Sequence, residues 1–270
     1  MYLAQELVDY IIDFLHDDPT TLLQVSLVSK AWVDRTRTHL CESLNITRFK
    51  LSTADASYLI PLCGYIKTLH FTWPTNITDP SSIFDRFEQS KPHTLVIRSC
   101  ELHSLDEKAI RRLFTKFPCT SITALELHDI SPTHKTLLIL LSLFPNVDDL
   151  GISVYRWRGD EPSPGLSENS GSGIAQRISP PRFRGSLKFS DSAYRGRRGF
   201  DRGELLHTIA ALSPQFQTIS LDIEDQSNGE LLRLLDSCSK TVRKVFVGLP
   251  YRKSQSCTPS AVLCAQRANE

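Results

Sequence analysis

The chain has 270 residues, of which 40% are hydrophobic, and its formal net charge is +1. It is long enough to bury a substantial core, and the near-neutral charge gives no electrostatic case for binding nucleic acid or a membrane surface. No segment approaches the ~18 uninterrupted apolar residues that a membrane-spanning helix needs.

The seven cysteines form no CxxC pair, and their number is odd. Neither feature suits a closed disulfide framework. The amino terminus has no basic flank that leads into an apolar leader segment, so we do not expect secretion. We therefore expect reduced thiols and a location in the cytoplasm or the nucleus.

The first 45 residues carry three short amphipathic segments. In the first segment Leu7, Ile11 and Leu15 recur every four residues, with Val8 and Ile12 beside them. This spacing predicts a helix with a broad apolar stripe along one face.

Two further helices are predicted by their start signals. Asp18 can cap the second helix, and Pro19 suits its first turn. Ser29 can cap the third helix, which contains Trp32. Three helices this short bury too little surface to offset the entropy of the chain. We therefore expect some of their apolar surface to be covered by a partner or by the rest of the chain.

This order of features resembles the F-box, and in particular the F-box-like domains of fungal proteins. The likeness covers roughly the first 45 residues and includes the Glu6-Leu7 pair and the closing run Val28-Ser29-Lys30-Ala31-Trp32. The family usually begins Leu-Pro-x-Glu-Leu, whereas this chain has Ala4 at the proline position. Proline there stiffens the entry to the helix and supplies no binding group.

The resemblance implies binding to the small adaptor subunit of an SCF-type cullin–RING ubiquitin ligase. The alternative is an ordinary helical cap whose apolar faces all turn inward onto the rest of the chain. Carried over by position, the implied adaptor-binding residues are Leu3, Glu6, Leu7, Ile11, Ile12, Leu15, Leu22, Val25 and Val28, with Trp32 closing the helices.

The rest of the chain repeats a short strand pattern. Seven segments can be superposed so that one apolar position coincides in all of them and a second follows two residues later. Alternation with a period of two predicts strands, and its recurrence predicts an array. The first row is Leu69, Leu95, Leu125, Leu150, Leu187, Ile219 and Val245; the second is Phe71, Ile97, Leu127, Ile152, Phe189, Leu221 and Val247.

Helical patterns separate these strands, and the repeat length is roughly 25 to 37 residues. The region resembles the irregular leucine-rich-repeat regions that follow F-boxes in many fungal proteins. We therefore predict an α/β fold, with a three-helix F-box-like module over 1–45 and a leucine-rich-repeat-like solenoid of parallel strands and helices over 46–250. A compact domain with a doubly wound sheet is the alternative, but no glycine-rich phosphate-binding turn supports it. The predicted helices cover 82–89, 105–117, 135–144, 204–212 and 230–238.

Two stretches depart from the repeat pattern. Residues 158–203 are rich in glycine, serine, proline and arginine, and we predict a flexible basic insert there, with a strand at GSLKFS. Residues 251–270 lose the rhythm of strand and helix, which predicts a disordered tail. Within the insert, Arg195, Arg197 and Arg198 are candidate phosphate- or anion-binding residues, because arginine binds phosphate in a planar, bidentate manner. The alternatives are a nuclear address, nucleic-acid contact, or a solvated loop without a specific ligand.

Catalysis and metal binding find little support in the sequence. Cys100, His103, Cys119 and His128 offer metal-ligand atoms, but without the tight paired spacings of zinc sites. No GxSxG elbow accompanies the histidines. We expect a non-catalytic protein without cofactor or metal that binds the ligase adaptor through its helices and an unidentified protein substrate through its repeats. The alternative function is a repeat scaffold for protein–protein interaction without any ligase.

For the arginine cluster, we predict that the triple change of Arg195, Arg197 and Arg198 to alanine weakens the binding of phosphopeptides, because three bidentate donors are lost. Fluorescence anisotropy with paired phosphorylated and unphosphorylated peptides measures the effect. Unaltered affinity for the phosphorylated member of each pair would contradict the prediction.

Overall fold

The computed structural model describes residues 4–46, 60–72, 84, 87–154, 183–190, 202–212, 214–222 and 228–248. The α-helices among these residues are α1 (Gln5–Phe14), α2 (Pro19–Ser26), α3 (Lys30–Leu40), α4 (Glu107–Leu113), α5 (His134–Ser142), α6 (Arg202–Ala211) and α7 (Asn228–Ser237). The strands are β1 (Ser43–Ile46), β2 (Thr68–Thr72), β3 (Thr94–Arg98), β4 (Ala124–Ile130), β5 (Asp149–Val154), β6 (Ser186–Ser190), β7 (Thr218–Asp222) and β8 (Lys244–Gly248).

These eight strands form one parallel sheet in the order β1 to β8. Each strand pairs with its neighbours in sequence, so every connection returns the chain to the same end of the sheet. A doubly wound sheet reverses its strand order at a switch point. This order contains no reversal, so the doubly wound alternative is wrong. The fold is α/β with an eight-stranded parallel sheet.

The pairing register confirms the predicted superposition of the seven segments. Leu69 pairs with Leu95 and Phe71 pairs with Ile97, and both rows then continue without interruption to β8. Every member of the two rows from β2 to β7 is at most 2% exposed. The rows therefore form the sheet side of a single core.

The sheet begins one strand earlier than predicted. β1 pairs with β2 and adds Leu44 and Ile46 to the two apolar rows. A domain boundary at residue 45 therefore falls inside a strand of the sheet. The sequence offered too weak a signal here, because two apolar residues do not make an alternating pattern stand out.

The described helices that follow β3 cover the buried side of the sheet with apolar faces. Leu140 of α5, Leu206 of α6 and Leu234 of α7 belong to the same core as the strand rows. Phenylalanine rings fill the space at one end, with centroids 4.6 to 5.9 Å apart. Offset and edge-on ring pairs of this kind add to the stabilisation from burial. The five rings belong to Phe71, Phe84, Phe114, Phe117 and Phe144.

The helix predictions for 135–144, 204–212 and 230–238 correspond to α5, α6 and α7. The helix predicted over 105–117 is shorter and ends at Leu113. At its start Asp106 caps it by accepting a hydrogen bond from the Ala109 N–H at 2.6 Å. Half of the helix predicted over 82–89 lies outside the described residues.

The predicted insert over 158–203 contains structured elements. GSLKFS supplies β6, as predicted, and α6 begins within the range at Arg202. The rest of that range and the predicted tail over 251–270 lie outside the described residues. Among the described helices, none combines the length and the apolar character that crossing a membrane requires.

We predict that Leu125→Ala, in the middle of the first apolar row, lowers the free energy of unfolding by about 2–5 kcal/mol, because it opens a cavity between two fully packed strands. Urea titration followed by circular dichroism measures the change. Leu232→Ala is the control, since Leu232 is exposed and surface truncations usually change stability by less than about 0.5 kcal/mol. Equal losses for the two variants would contradict this account of the core.

Candidate functional site

Helices α1, α2 and α3 pack around a small core of their own. Val8, Ile12 and Leu22 are buried there, in a cluster separate from the core beneath the sheet. Four partly buried residues complete this cluster, namely Leu15, Val25, Trp32 and Leu40. The amino-terminal helices thus bury part of their apolar surface against each other.

The predicted helix caps are confirmed. The Asp18 carboxylate accepts a hydrogen bond from the Thr21 N–H at 3.0 Å, and Pro19 begins α2. The Ser29 hydroxyl oxygen accepts one from the Ala31 N–H at 3.3 Å at the start of α3. These caps set where α2 and α3 begin, whereas Ala4 at the start of α1 offers no side-chain cap.

Asp13 ties α1 to α3. Its carboxylate accepts a hydrogen bond from Nε of Arg35 at 2.6 Å and a second from the other end of the guanidinium. His39 donates from Nε2 to the same carboxylate at 2.8 Å. The bonds from Arg35 and then His39 lower the pKa of Asp13 to about 2. This bidentate pairing links α1 to α3 and acts together with the burial of Val8 and Ile12, which turns the opposite face of α1 outward.

The outward side of α1 and α2 carries large apolar residues. On α1 the side chains of Leu7, Tyr10, Ile11 and Phe14 are exposed at i, i+3, i+4 and i+7, which places them on one stripe. The inner stripe of Val8, Ile12 and Leu15 lies beside it. We call the exposed set the outer face; its members are 42–86% exposed, and they are Leu7, Tyr10, Ile11, Phe14, Leu23, Leu27 and Val28.

The structure divides the predicted adaptor-binding residues into three groups. Glu6, Leu7, Ile11 and Val28 are exposed, whereas Leu15, Val25 and Trp32 are partly buried against the small core. Ile12 and Leu22 are at most 1% exposed. They therefore support the outer face from within and have no surface that a partner could contact. Leu3 lies outside the described residues.

Four residues of the outer face were not among the predicted ones: Tyr10, Phe14, Leu23 and Leu27. A signal for two of them existed, since Tyr10 and Phe14 lie three residues after Leu7 and Ile11 and so fall on the same side of a helix. Nothing in the sequence distinguishes Leu23, which is exposed, from Leu22, which is buried.

The residues considered for metal binding do not form a site. Cys100 is buried, and its pKa is raised by burial away from water. His128 instead lies 3.1 Å from the Glu126 carboxylate through its Nε2. No group of three or more His, Cys, Asp or Glu residues in the described ranges is arranged to hold a metal ion. Arg195, Arg197 and Arg198 lie outside those ranges.

Compared with protein-family models and with curated proteins, the chain matches none of them. The interpretation of the outer face therefore depends on its geometry and on the sequence features described above.

For the link between α1 and α3, we predict that Asp13→Asn lowers the melting temperature at neutral pH. The folded-state pKa of Asp13, about 2, lies below its usual value of 3.8, so ionised Asp13 stabilises the fold above about pH 4. That stabilisation is lost as the pH falls through 2. The difference in melting temperature between wild type and Asp13→Asn should therefore shrink over this range, as measured by circular dichroism.

Asp17→Asn is the control for this comparison, because the Asp17 side chain is 91% exposed and contacts only the neighbouring His16 in an ion pair. It should melt close to wild type at every pH. A difference between wild type and Asp13→Asn that stays constant from neutral pH to pH 2 would show that ionised Asp13 does not link the helices.

Proposed function

We propose that this protein is a substrate-binding subunit of an SCF-type cullin–RING ubiquitin ligase, in which α1 to α3 bind the small adaptor subunit of the ligase. The observation that carries the proposal is the outer face. Exposed apolar residues on soluble proteins are normally scattered singly, and a clustered set of large ones marks an interaction surface. Here seven of them lie within residues 7–28.

The arrangement of the helices supports an F-box-like module. An ordinary cap on the sheet turns its apolar stripe inward, whereas α1 has one stripe in the small core and a second stripe towards solvent. Trp32, the last residue of the Val28-Ser29-Lys30-Ala31-Trp32 run that carries the family resemblance, packs against the small core. An outward stripe on short, capped helices suits a module that another subunit completes.

The sheet supports the second half of the proposal, a repeat array that holds the substrate. Strands that follow one another in sequence order, each contacting only its neighbours, are the arrangement expected of a leucine-rich-repeat-like solenoid. Residues between the two apolar rows face the opposite side of the sheet. His70 and Glu126 are partly exposed there and Lys188 is exposed. Val96 and Phe246 are apolar residues on the same side. This side therefore offers a substrate charged, hydrogen-bonding and apolar groups on a rigid frame.

In this role the protein supplies binding and no chemistry. The ligase's other subunits transfer ubiquitin, and this chain brings a protein substrate to them. The outer face meets the energetic requirement, because fully burying one leucine, isoleucine or phenylalanine contributes about 1.5–3 kcal/mol. A few well-buried residues of this kind carry most of the affinity in protein interfaces.

We predict that the purified adaptor subunit binds the wild-type chain and that Leu7→Asp or Ile11→Asp weakens the complex at least tenfold. Each change places an unpaired carboxylate in an interface that excludes water. Isothermal titration calorimetry measures the affinity, and thermal melting checks that the sheet remains folded.

Leu232→Asp is the matched control, because Leu232 is an equally exposed leucine on α7, outside the module. It should leave the affinity unchanged. A wild-type chain that shows no binding to the adaptor would instead favour the repeat scaffold without a ligase, in which the three helices only close the end of the sheet.

A further inference from the structure

Large apolar side chains are exposed at two places in the described structure. Seven form the outer face, and the remaining three lie in the last repeat, where Leu232 is on α7 and Phe246 and Val247 are on β8. The second place is at the far end of the sheet from β1. The adaptor interaction proposed above does not account for it.

The repeat itself provides the comparison for Val247. The equivalent residues on the seven other strands belong to the second apolar row, and all of them are at most 3% exposed. Val247 occupies the same register position and is 38% exposed. It is therefore a core position that, in the described part of the chain, has a neighbouring strand on one side alone. Val245, in the first row, is likewise only partly buried, whereas its partner Ile219 is completely buried.

The two edges of the sheet differ in this respect. Ile46 of the edge strand β1 is 3% exposed, so the second row is closed at that end, whereas in the first row Leu44 is partly buried, as Val245 is. Within the described residues β8 pairs with β7 alone. Among those residues one side of β8 therefore has no partner strand for its N–H and C=O groups, and such an edge is a template for another strand. Backbone pairing and an unfilled apolar row are thus available along the same edge.

The amino-terminal end of β8 is positively charged. Lys240, Arg243 and Lys244 are all exposed there. Among the described residues none of the three forms an ion pair with a carboxylate. A strand that pairs with β8 therefore gains electrostatic attraction if it is acidic at the end beside Lys244.

We propose that the β8 edge binds an extended segment of another protein as an additional strand. That segment has apolar residues at alternate positions, which extend the row of Val247, and acidic residues at the end beside Lys244. Main-chain hydrogen bonds supply affinity in this mode of recognition, and the alternate side chains supply specificity. The proposal is independent of the ligase assignment, because it uses no residue of the outer face.

Charge argues against two other occupants of the edge. In a second copy of the chain, β8 itself reads KVFVG and brings no acidic residue to the basic end. The last twenty residues of the chain contain one acidic residue, Glu270, against three basic ones. An acidic segment from a different protein complements the edge better than either.

The test uses the full chain and labelled peptides in fluorescence anisotropy at low ionic strength. One peptide has two glutamates followed by three valine–threonine pairs, a second has the same composition with the glutamates last, and a third replaces glutamate with glutamine. We expect one of the acidic peptides to bind at least tenfold more tightly than the glutamine peptide. Val247→Asp and Lys244→Glu should each weaken that binding at least tenfold.

Leu27→Asp is the matched control, since it places the same charge at an exposed leucine of the outer face. It should leave peptide binding unchanged, and thermal melting shows which variants are folded. Lys244→Glu alters an exposed side chain and remains informative even if Val247→Asp does not fold.

Three outcomes would overturn the proposal. The first is that neither acidic peptide binds, or that binding is unaffected by Lys244→Glu. The second is a dimer in analytical ultracentrifugation that Val247→Asp dissociates, which assigns the edge to a second copy. The third is tighter peptide binding after Leu263→Asp, which assigns the edge to the chain's own carboxy-terminal segment.

Discussion

Two apolar rows running across eight parallel strands hold this structure together. Each row residue packs against its equivalents on the neighbouring strands and against the helices beneath, so no strand has a complete core without the strands beside it. Slipping one strand by a single residue exchanges its buried and exposed faces, placing His70 or Glu126 where Leu69 or Leu125 belongs. The register is therefore strongly specified, and the sheet behaves as one unit.

The same constraint explains why apolar surface remains exposed at both ends of the fold. A stacked array closes its core only where every strand has a neighbour, and β8 has one on a single side among the described residues. At the other end the three amino-terminal helices are too short to bury all of their apolar surface against each other. They bury Ile12 and Leu22 and leave Leu7 and Phe14 outside. The proposed binding surfaces arise where the chain's own packing stops.

Several features of the fold were predictable because their signals are local. The two rows follow from an alternation that each strand carries within five or six residues, and the caps at Asp18 and Ser29 follow from side-chain chemistry next to the helix start. β1 was missed, because a strand with only Leu44 and Ile46 carries too few repeats of the alternation. The predicted adaptor-binding set mixed exposed and buried residues, because the broad stripe of α1 covers two faces.

The sequence by itself determined which residues share a face: the members of each strand row, the stripe of α1 and the starts of the short helices. In a helix or a strand, the spacing of two residues sets whether their side chains point to the same face. These features can therefore be predicted without knowing which other elements pack nearby. Only the tertiary structure decided what lies opposite each face. The ion pair of Asp13 with Arg35 joins residues 22 positions apart and links α1 to α3. Val247 has the same position in its strand as Leu221, but within the described ranges it has a neighbouring strand on one side alone. Burial depends on neighbours that are distant in sequence, and residue spacing carries no information about them.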